Sequence, residues 1–374
     1  MTNGAQAQRS DAELGKDSVL GWKYIINPPK QQAYKPIKDN VVPGATYTAW
    51  QQGTADLLYK WVQQSCLPKG LVLRNVLKEN QQWWLSGAPA LHSYGIQLIG
   101  FEAHFLKGKI NLQCCEKGQF LSLGFNSFPG DYITGGFNPN GLYLFAEIAQ
   151  FSTGDDEKKL TTEGIDKQIL PQLHSYRTYL DHYHDNGKAW NRIGVAVIKN
   201  GEWPFKPVLV KEIIDYINRQ LAAYPGIAQK NPYAMESIKK ALDRLQPYAN
   251  EVAKLRETNY YNAMYKDDNG HAILDPNIIF NDLPASKAFP EYRILVSATQ
   301  QVIDQSKTDK PMWLYMNFAG NGTAIPNTAQ FDPKLSTERD HFANTLLRNF
   351  NFEYVSNWLS QPEKMKNVPY TPLK

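Results

Sequence analysis

Cysteine is scarce in this 374-residue chain, which contains only Cys66, Cys114 and Cys115. None of them belongs to a Cys-x-x-Cys motif, so the sequence gives no zinc ribbon and no thioredoxin-type redox centre. Because neighbouring residues of a strand point to opposite faces, at most one of Cys114 and Cys115 can pair readily with Cys66. We therefore expect at least one thiol to stay free, which is the usual state of a buried cysteine.

The chain also lacks long runs of apolar or of basic residues. A transmembrane helix needs about 18 or more apolar residues in succession, and no such stretch is present. Acidic and basic residues are interleaved at a net charge of +4, so the sequence gives little support to nucleic-acid binding. We expect neither a transmembrane segment nor nucleic acid as a partner.

Motifs that identify common enzyme classes are missing from the sequence. There is no Gly-x-Ser-x-Gly of serine hydrolases, no phosphate-binding Walker loop and no Gly-x-Gly-x-x-Gly fingerprint. The His-Glu-x-x-His signature of zinc proteases is absent as well. Candidate sites must therefore be sought in clusters of polar residues.

Aromatic residues, by contrast, are abundant at 12% of the chain, with 21 Tyr and 9 Trp. Tyr and Trp combine an apolar face with a polar tip, which suits sugar rings and interfaces as well as protein cores. Near the start, Ala5-Gln6-Ala7 is a small-x-small sequence of the kind cut by signal peptidase, although no apolar segment precedes it. We expect residues 1–7 to be the tail of a signal peptide, and the protein to be exported to the periplasm, the cell surface or the medium.

The periodicity of apolar residues predicts an α+β fold. Segments with a period of two follow one another between residues 95 and 151, which indicates an antiparallel β-meander in the N-terminal half. A helix at 54–66 precedes the meander, and a further strand is expected at 192–201. In the C-terminal half, two amphipathic helices at 206–222 and 231–257 form a helical hairpin, a β-hairpin follows around Asn269-Gly270, and a last helix begins after Ser336 or Thr337.

Three segments are expected along the chain. Residues 1–45 are polar and aperiodic, so we predict an extended arm or linker. A boundary near 200–206 then separates a β-rich α+β domain, 46–203, from a helix-rich α+β domain, 204–374. One continuous fold over both is the alternative.

The first candidate site consists of polar residues within two predicted strands. Glu102 and His104 alternate with apolar residues and share one face of a strand, and Glu147 lies midway along a strongly apolar strand. If the strands are neighbours, Glu102 and Glu147 form the pair of carboxylates that a glycoside hydrolase needs, with His104 as a further acid/base group or metal ligand. A solvated face of the meander that carries all three residues is the simpler interpretation.

The second candidate site is the long loop 125–141, which is rich in Gly, Pro, Asn and aromatic residues. Loops of this length in compact domains are commonly functional. Asp131, Tyr132, Phe137 and Asn138 provide rings that can stack on a sugar and polar groups that can bind its hydroxyls. The alternative is a loop held in place by its own aromatic residues.

The third candidate site lies in a helix predicted for residues 171–187, which begins at a proline and ends at Asn-Gly. At about 100° per residue, a helix brings His174, Asp181 and Asp185 to one face. An imidazole and two carboxylates suit a divalent metal ion such as zinc, manganese or iron, if a fourth ligand comes from elsewhere. The alternative is the solvated end of a helix.

These clusters support three functional hypotheses. The leading one is an exported carbohydrate-binding protein, which becomes a hydrolase if the two glutamates meet. The second is a metal-dependent hydrolase that uses the His/Asp cluster and a divalent metal ion as cofactor. The third is a non-catalytic component of the cell envelope. The corresponding partners are a glycan or another polymer, or envelope proteins that dock onto the N-terminal arm and the helix 231–257.

Overall fold

Alternating apolar residues in the first two-thirds of the chain fold into antiparallel strands, and most of the helices lie in the C-terminal half. The predicted α+β class, with its N-terminal meander and C-terminal helices, is confirmed. The computed structural model describes residues 47–67, 71–77, 93–106, 109–127, 133–137, 144–152, 159–160, 171–173, 175–185, 188–256, 264–282, 292–305, 308, 310–321 and 338–374. The predicted arm, residues 1–45, lies outside these residues.

The strands form two large sheets and one small hairpin. Their bounds are β1 (Leu71–Leu77), β2 (Tyr94–Leu106), β3 (Lys109–Phe125), β4 (Ile133–Phe137), β5 (Leu144–Ser152), β6 (Lys159–Leu160), β7 (Arg177–Asp185), β8 (Lys188–Ile198), β9 (Phe205–Pro207), β10 (Lys254–Arg256), β11 (Met264–Lys266), β12 (Ala272–Leu274), β13 (Tyr292–Ala298) and β14 (Trp313–Asn321). The first sheet has the order β1-β2-β3-β14-β8-β7 and contains β2 and β3 of the predicted meander, whereas β4 and β5 from the same range lie in the second sheet. The second has the order β10-β13-β5-β4, to which β6 and β9 add short pairings, while β11 and β12 pair with each other.

Both large sheets draw strands from either side of the boundary predicted near 200–206. Strand β14 of the C-terminal half lies between β3 and β8 in the first sheet, and β13 pairs with β5 in the second. Every pairing is antiparallel, including those that join distant parts of the chain. Each large sheet therefore contains strands from both of the predicted segments.

The helices are short to medium in length. They are α1 (Ala49–Ser65), α2 (Val210–Ala223), α3 (Pro225–Lys230), α4 (Pro232–Leu245), α5 (Gln300–Gln305), α6 (Glu338–Asn349), α7 (Phe352–Ser360) and α8 (Pro362–Met365). Helices α2 and α4 are the two members of the predicted helical hairpin, and α3 forms the connection between them. Helix α4 ends at Leu245, and a 3-10 turn, Gln246–Tyr248, follows because Pro247 cannot continue an α-helix.

The first hydrophobic core lies between the six-stranded sheet and helices α1, α6 and α7. Its largest fully buried side chains include Trp61 of α1, Tyr94 of β2 and Phe350 between the two C-terminal helices. The C-terminal tail closes this core, since Tyr370 is 9% exposed and its ring stacks on Trp61. Burial of this kind stabilises a fold by about 25 cal/mol for each Å² of apolar surface removed from water.

The second core lies between the second sheet and the helical hairpin. Helix α2 buries Ile213 and Ile217 against it, α4 contributes Ile238, and Leu295 of β13 is also fully covered. Spacings of three and four residues between apolar positions gave these helices one apolar face, so their packing follows from the sequence pattern.

One predicted helix is wrong. In place of a helix over 171–187, Pro171–Leu173 form a 3-10 turn and Arg177–Asp185 form strand β7, which pairs in register with β8. The opposite partners Asp185 and Lys188 leave two residues between them, and their sequence is Asn-Gly, the commonest signal for a two-residue hairpin connection. The Asn-Gly pair was therefore a hairpin signal rather than the end of a helix.

Two helix boundaries also differ from expectation. The first helix was predicted from residue 54, but it begins at Ala49 with Thr48 as N-cap, and Gln51 completes a capping box. The helix predicted after Ser336 is broken in two, because Asn351 caps a new helix by accepting a hydrogen bond from the Tyr354 amide at 2.8 Å.

The structure bears on the expected cysteine environment and on the expected lack of a transmembrane helix. Cys66 is buried at 4% exposed, with Sγ 3.9 Å from the Phe342 carbonyl oxygen, and burial raises the pKa of its thiol to about 12. Within the described ranges, none of the helices has both the length and the apolar composition needed to span a bilayer.

Candidate functional site

The two glutamates predicted to form a catalytic pair lie in different sheets. Glu102 belongs to β2 of the six-stranded sheet, where Gln113 of β3 is opposite it, and His104 follows two residues later on the same strand. Glu147 belongs to β5 of the second sheet, opposite Ile294 of β13. Among the described strands, no pairing brings the two carboxylates together, so their shared catalytic role stays a prediction without support from strand order.

The loop predicted to bind sugar is only partly described. Phe137 is the last residue of β4 and pairs with Leu144 of β5. Asp131, Tyr132 and Asn138 lie outside the described residues.

The metal site predicted from a helical face loses its geometric basis. Asp181 and Asp185 lie on strand β7, opposite Arg192 and Lys188 of β8, and His174 lies outside the described residues. At about 3.3 Å per residue, the backbone positions of the two aspartates are roughly 13 Å apart, which is too far for one metal ion. Among the described residues, no group of three or more His, Cys, Asp and Glu side chains could hold a metal ion.

A different polar cluster is built around the β11–β12 hairpin. The hairpin turns at Asn269-Gly270, where Gly270 has a φ of 84° that glycine adopts without strain. The Asp267 carboxylate accepts hydrogen bonds from the amides of Asn269 at 3.0 Å and His271 at 2.8 Å. Its second oxygen lies 2.9 Å from Nδ1 of His271. One buried carboxylate thus holds both the turn and the imidazole.

An aromatic ring covers one face of this imidazole. Tyr224, the residue before helix α3, stacks on His271 with a centroid distance of 3.9 Å and an interplanar angle of 18°. Helix α3 lies close to the hairpin, since a Cβ on Gly226 would be in ordinary contact with the Asp267 carboxylate at 3.4 Å. The connection between α2 and α4 therefore forms one wall of the cluster.

The protonation of the pair follows from its geometry. Desolvation acts to raise the pKa of Asp267, but the hydrogen bonds from His271 and Asn269 outweigh it, and the pKa lies below the usual value. An ionised carboxylate can only accept hydrogen bonds, so Nδ1 of His271 carries the proton. With that proton on Nδ1, Nε2 is the ring nitrogen directed away from Asp267 and the acceptor in the neutral form, in a side chain that is 37% exposed.

Charged and aromatic side chains surround the dyad at the surface. Lys230, the last residue of α3, forms an ion pair with Asp268 of the turn. The Asn231 side chain donates a hydrogen bond to the Lys266 carbonyl at 3.2 Å, which fixes the start of α4 beside the hairpin. Tyr233, two residues further on, is 97% exposed. We call Tyr224, Lys230, Tyr233, Asp268 and His271 the hairpin surface.

The hairpin surface can bind polar molecules, but it is not a complete catalytic centre. An Asp-His pair orients a proton acceptor, as it does in nucleophilic triads, yet none of the hydrogen bonds of His271 described here goes to a Ser, Thr or Cys side chain. An imidazole acceptor, an ammonium group and an exposed phenol ring together offer hydrogen bonds and a stacking face.

Sequence analysis predicted the hairpin at Asn269-Gly270 but not the dyad. The signal was present, since Asp267 and His271 flank the turn at a spacing of four residues. Asp267 and His271 enclose three residues, and in a three-residue hairpin loop that ends in a glycine of positive φ the two flanking residues are brought side by side. The contribution of Tyr224 had no sequence signal, because it reaches the hairpin only through the packing of α3.

Comparison with protein-family models, with curated proteins and with solved structures finds no match to this chain.

Proposed function

We propose that the protein binds a glycan on the hairpin surface. The observation that carries the proposal is the side chain of Tyr233, which is 97% exposed two residues after Asn231, whose side chain is bonded to the hairpin. Large aromatic side chains are usually covered in a folded protein, and an exposed ring near polar groups is what sugar recognition uses.

The polar groups of the hairpin surface complement such a ring. His271 presents Nε2 as an acceptor for a sugar hydroxyl, and Lys230 and Asp268 are exposed on 48% and 85% of their side chains. Both are held in place by their ion pair, and the imidazole is held by Asp267, so little side-chain entropy is lost when a ligand binds. The surface carries one charge of each sign, which favours a neutral polyhydroxylated ligand over a highly charged one.

The proposal concerns binding, and cleavage remains a separate hypothesis. A hydrolase that uses Glu102 and Glu147 requires the two carboxylates within about 5 to 10 Å of each other. Replacing both by glutamine tests it: loss of any glycan cleavage with an unchanged melting temperature supports the pair, and retained cleavage rejects it. Export to the periplasm, surface or medium is the setting that we propose for a glycan ligand, and fractionation of the source cells tests it.

The binding proposal is tested with the purified chain on a panel of polysaccharides by affinity electrophoresis. We expect at least one glycan to retard the protein, and Tyr233→Ala to weaken binding about tenfold, because roughly 1.4 kcal/mol of stacking is lost. Leu67→Ala is the matched control, since that side chain is 57% exposed but lies after helix α1. Absence of retardation on every glycan, or equal loss in both variants, rejects the proposal.

A further inference from the structure

The two faces of the six-stranded sheet differ in chemistry. On β2, β3 and β14, alternate residues such as Leu98, Leu121 and Met316 are buried in the first core. Because successive residues of a strand point to opposite faces, the residues between them lie on the second face of the sheet. In the middle of the sheet this second face carries polar side chains.

Three of these polar residues form a row across neighbouring strands. Gln97 of β2 is opposite Ser122 of β3, and Ser122 is in turn opposite Asn317 of β14. We call Gln97, Ser122 and Asn317 the polar row. Neighbouring strands lie about 4.8 Å apart, so the backbones of Gln97 and Asn317 are roughly 10 Å apart. This span accommodates one sugar ring with its hydroxyl groups.

Two side chains of the polar row have hydrogen-bonding groups that are not used within the described part of the chain. Ser122 is 9% exposed, and its hydroxyl makes no hydrogen bond there. The amide of Gln97, which is half-buried on the opposite strand, makes none there either. Native proteins pair nearly all of their buried polar groups, because an unpaired one destabilises the fold. A ligand that bonds to both groups would remove this cost.

The residues beside the polar row keep bulky side chains away from it. Tyr315 is two residues before Asn317, and its hydroxyl would lie 2.6 Å from a Cβ on Gly194, so the phenol ring leans over β8. Gly95 of β2 and Gly124 of β3 are opposite each other and have no side chains that could cover the row. Glycines within strands commonly mark places where a ligand or another backbone approaches the sheet closely.

We propose that the polar row binds a neutral, polyhydroxylated small molecule such as a monosaccharide. Amide and hydroxyl groups provide both donors and acceptors, as sugar hydroxyls do, so the two sets can pair with each other. The row contains no charged residue and therefore offers no counter-ion to an anion or a cation. An apolar ligand would leave the Ser122 hydroxyl and the Gln97 amide unpaired. The site lies on the six-stranded sheet and does not depend on the hairpin surface.

The test removes one of two buried hydroxyls that lie on opposite faces of the sheet. Ser122→Ala removes the hydroxyl of the polar row. Thr178→Val is the matched control, because Thr178 is 1% exposed, its hydroxyl is also unpaired, and it lies opposite Val195 of the first core. The probes are glucose, galactose, mannose and N-acetylglucosamine, titrated against the full chain by saturation-transfer NMR.

We expect at least one of these sugars to bind, and Ser122→Ala to weaken its binding about three- to tenfold through the loss of one hydrogen bond. Thr178→Val should leave the affinity unchanged. Neither hydroxyl is paired in the free protein, so neither variant should lower the melting temperature. A purely structural role of Ser122 predicts the opposite, a lower melting temperature with unchanged affinity.

A thiol at position 122 shows whether the polar row can be reached from solvent. In Ser122→Cys, residue 122 should react with methyl methanethiosulfonate faster than the buried Cys66, and bound sugar should slow that reaction, as followed by peptide mass spectrometry. Tyr233→Ala should not change the sugar affinity, which separates this site from the hairpin surface. The proposal is overturned if none of the four sugars binds, if Ser122→Ala weakens binding no more than Thr178→Val or Tyr233→Ala does, or if residue 122 reacts no faster than Cys66.

Discussion

The C-terminal tail gives a sharp test of how the first core is held together, through the hydroxyl of Tyr370. This hydroxyl lies 2.6 Å from Oγ of Ser65 and accepts a hydrogen bond from the Asn351 amide at 2.8 Å. Ser65 uses its own proton to donate to the Trp61 carbonyl at 2.7 Å, so Tyr370 must be the donor to Ser65. One phenol thus joins the tail to α1 and to the start of α7.

Tyr370→Phe removes both hydrogen bonds and keeps the ring. The stack on Trp61, at a centroid distance of 5.7 Å, and the edge contact with Tyr354, at 5.1 Å, do not need the hydroxyl. The amide of Asn351 loses its partner in a partly buried position, which costs about 1–3 kcal/mol of the free energy of unfolding. Burial is the main reason that the pKa of Tyr370 is raised, so the lost hydrogen bonds are not easily replaced by water.

The assay is urea denaturation followed by tryptophan fluorescence, with Tyr233→Phe as the control. That hydroxyl belongs to a side chain that is 97% exposed, so its removal should change the free energy of unfolding by less than about 0.5 kcal/mol. A double-mutant cycle with Ser65→Ala should be non-additive, because the two hydroxyls bond directly. If Tyr370→Phe is as stable as the parent chain, the inferred donor and acceptor roles are wrong.

Four further predictions concern the hairpin, two glycines and the metal hypothesis. Because the pKa of Asp267 is lowered by folding, its contribution to stability is present above the ordinary carboxylate pKa and is lost as the pH falls through the folded pKa. Asp267→Asn should therefore flatten the acid side of a melting-temperature profile against pH, and an unchanged profile contradicts it. Gly53→Ala should stabilise helix α1 by about 0.5–1 kcal/mol, since nothing lies within 4 Å of the new Cβ. Gly95→Ala should strongly lower the melting temperature, because the new Cβ would lie 2.1 Å from the Leu123 carbonyl oxygen. Calorimetry of both glycine variants checks these two predictions. Since Asp181 and Asp185 lie about 13 Å apart on a strand, we expect elemental analysis of the unchelated protein to find well under one equivalent of divalent metal, and one full equivalent refutes this.

Local signals gave the parts of the fold that were predicted correctly. Strands β2 and β8 follow from alternation of apolar residues, and helix α2 from its apolar face, because each pattern buries one side of a single element. The turn at Asn269-Gly270 needs only a residue that tolerates positive φ. These features depend on neighbours within a few residues, so one chain is enough to predict them.

The segment 171–187 shows where local signals are ambiguous. Leu173, Tyr176, Leu180 and Tyr183 lie at helical spacing, but the same segment is rich in tyrosine and pairs along its length with β8. Pairing satisfies the backbone groups of the strand, whereas an isolated helix of this composition has little propensity to form. The tertiary partner decided the conformation, and with it the separation of the aspartates.

The sequence by itself determined the fold class, most of the strands and helices, the absence of enzyme motifs and the hairpin that carries Asp267 and His271. Only the tertiary structure decided that Glu102 and Glu147 belong to different sheets, that β14 inserts between β3 and β8, and that Tyr224 covers His271. The physical reason is that strand order, register and stacking depend on contacts between residues distant in the chain. Such contacts are selected by the packing of the whole core rather than by any local preference.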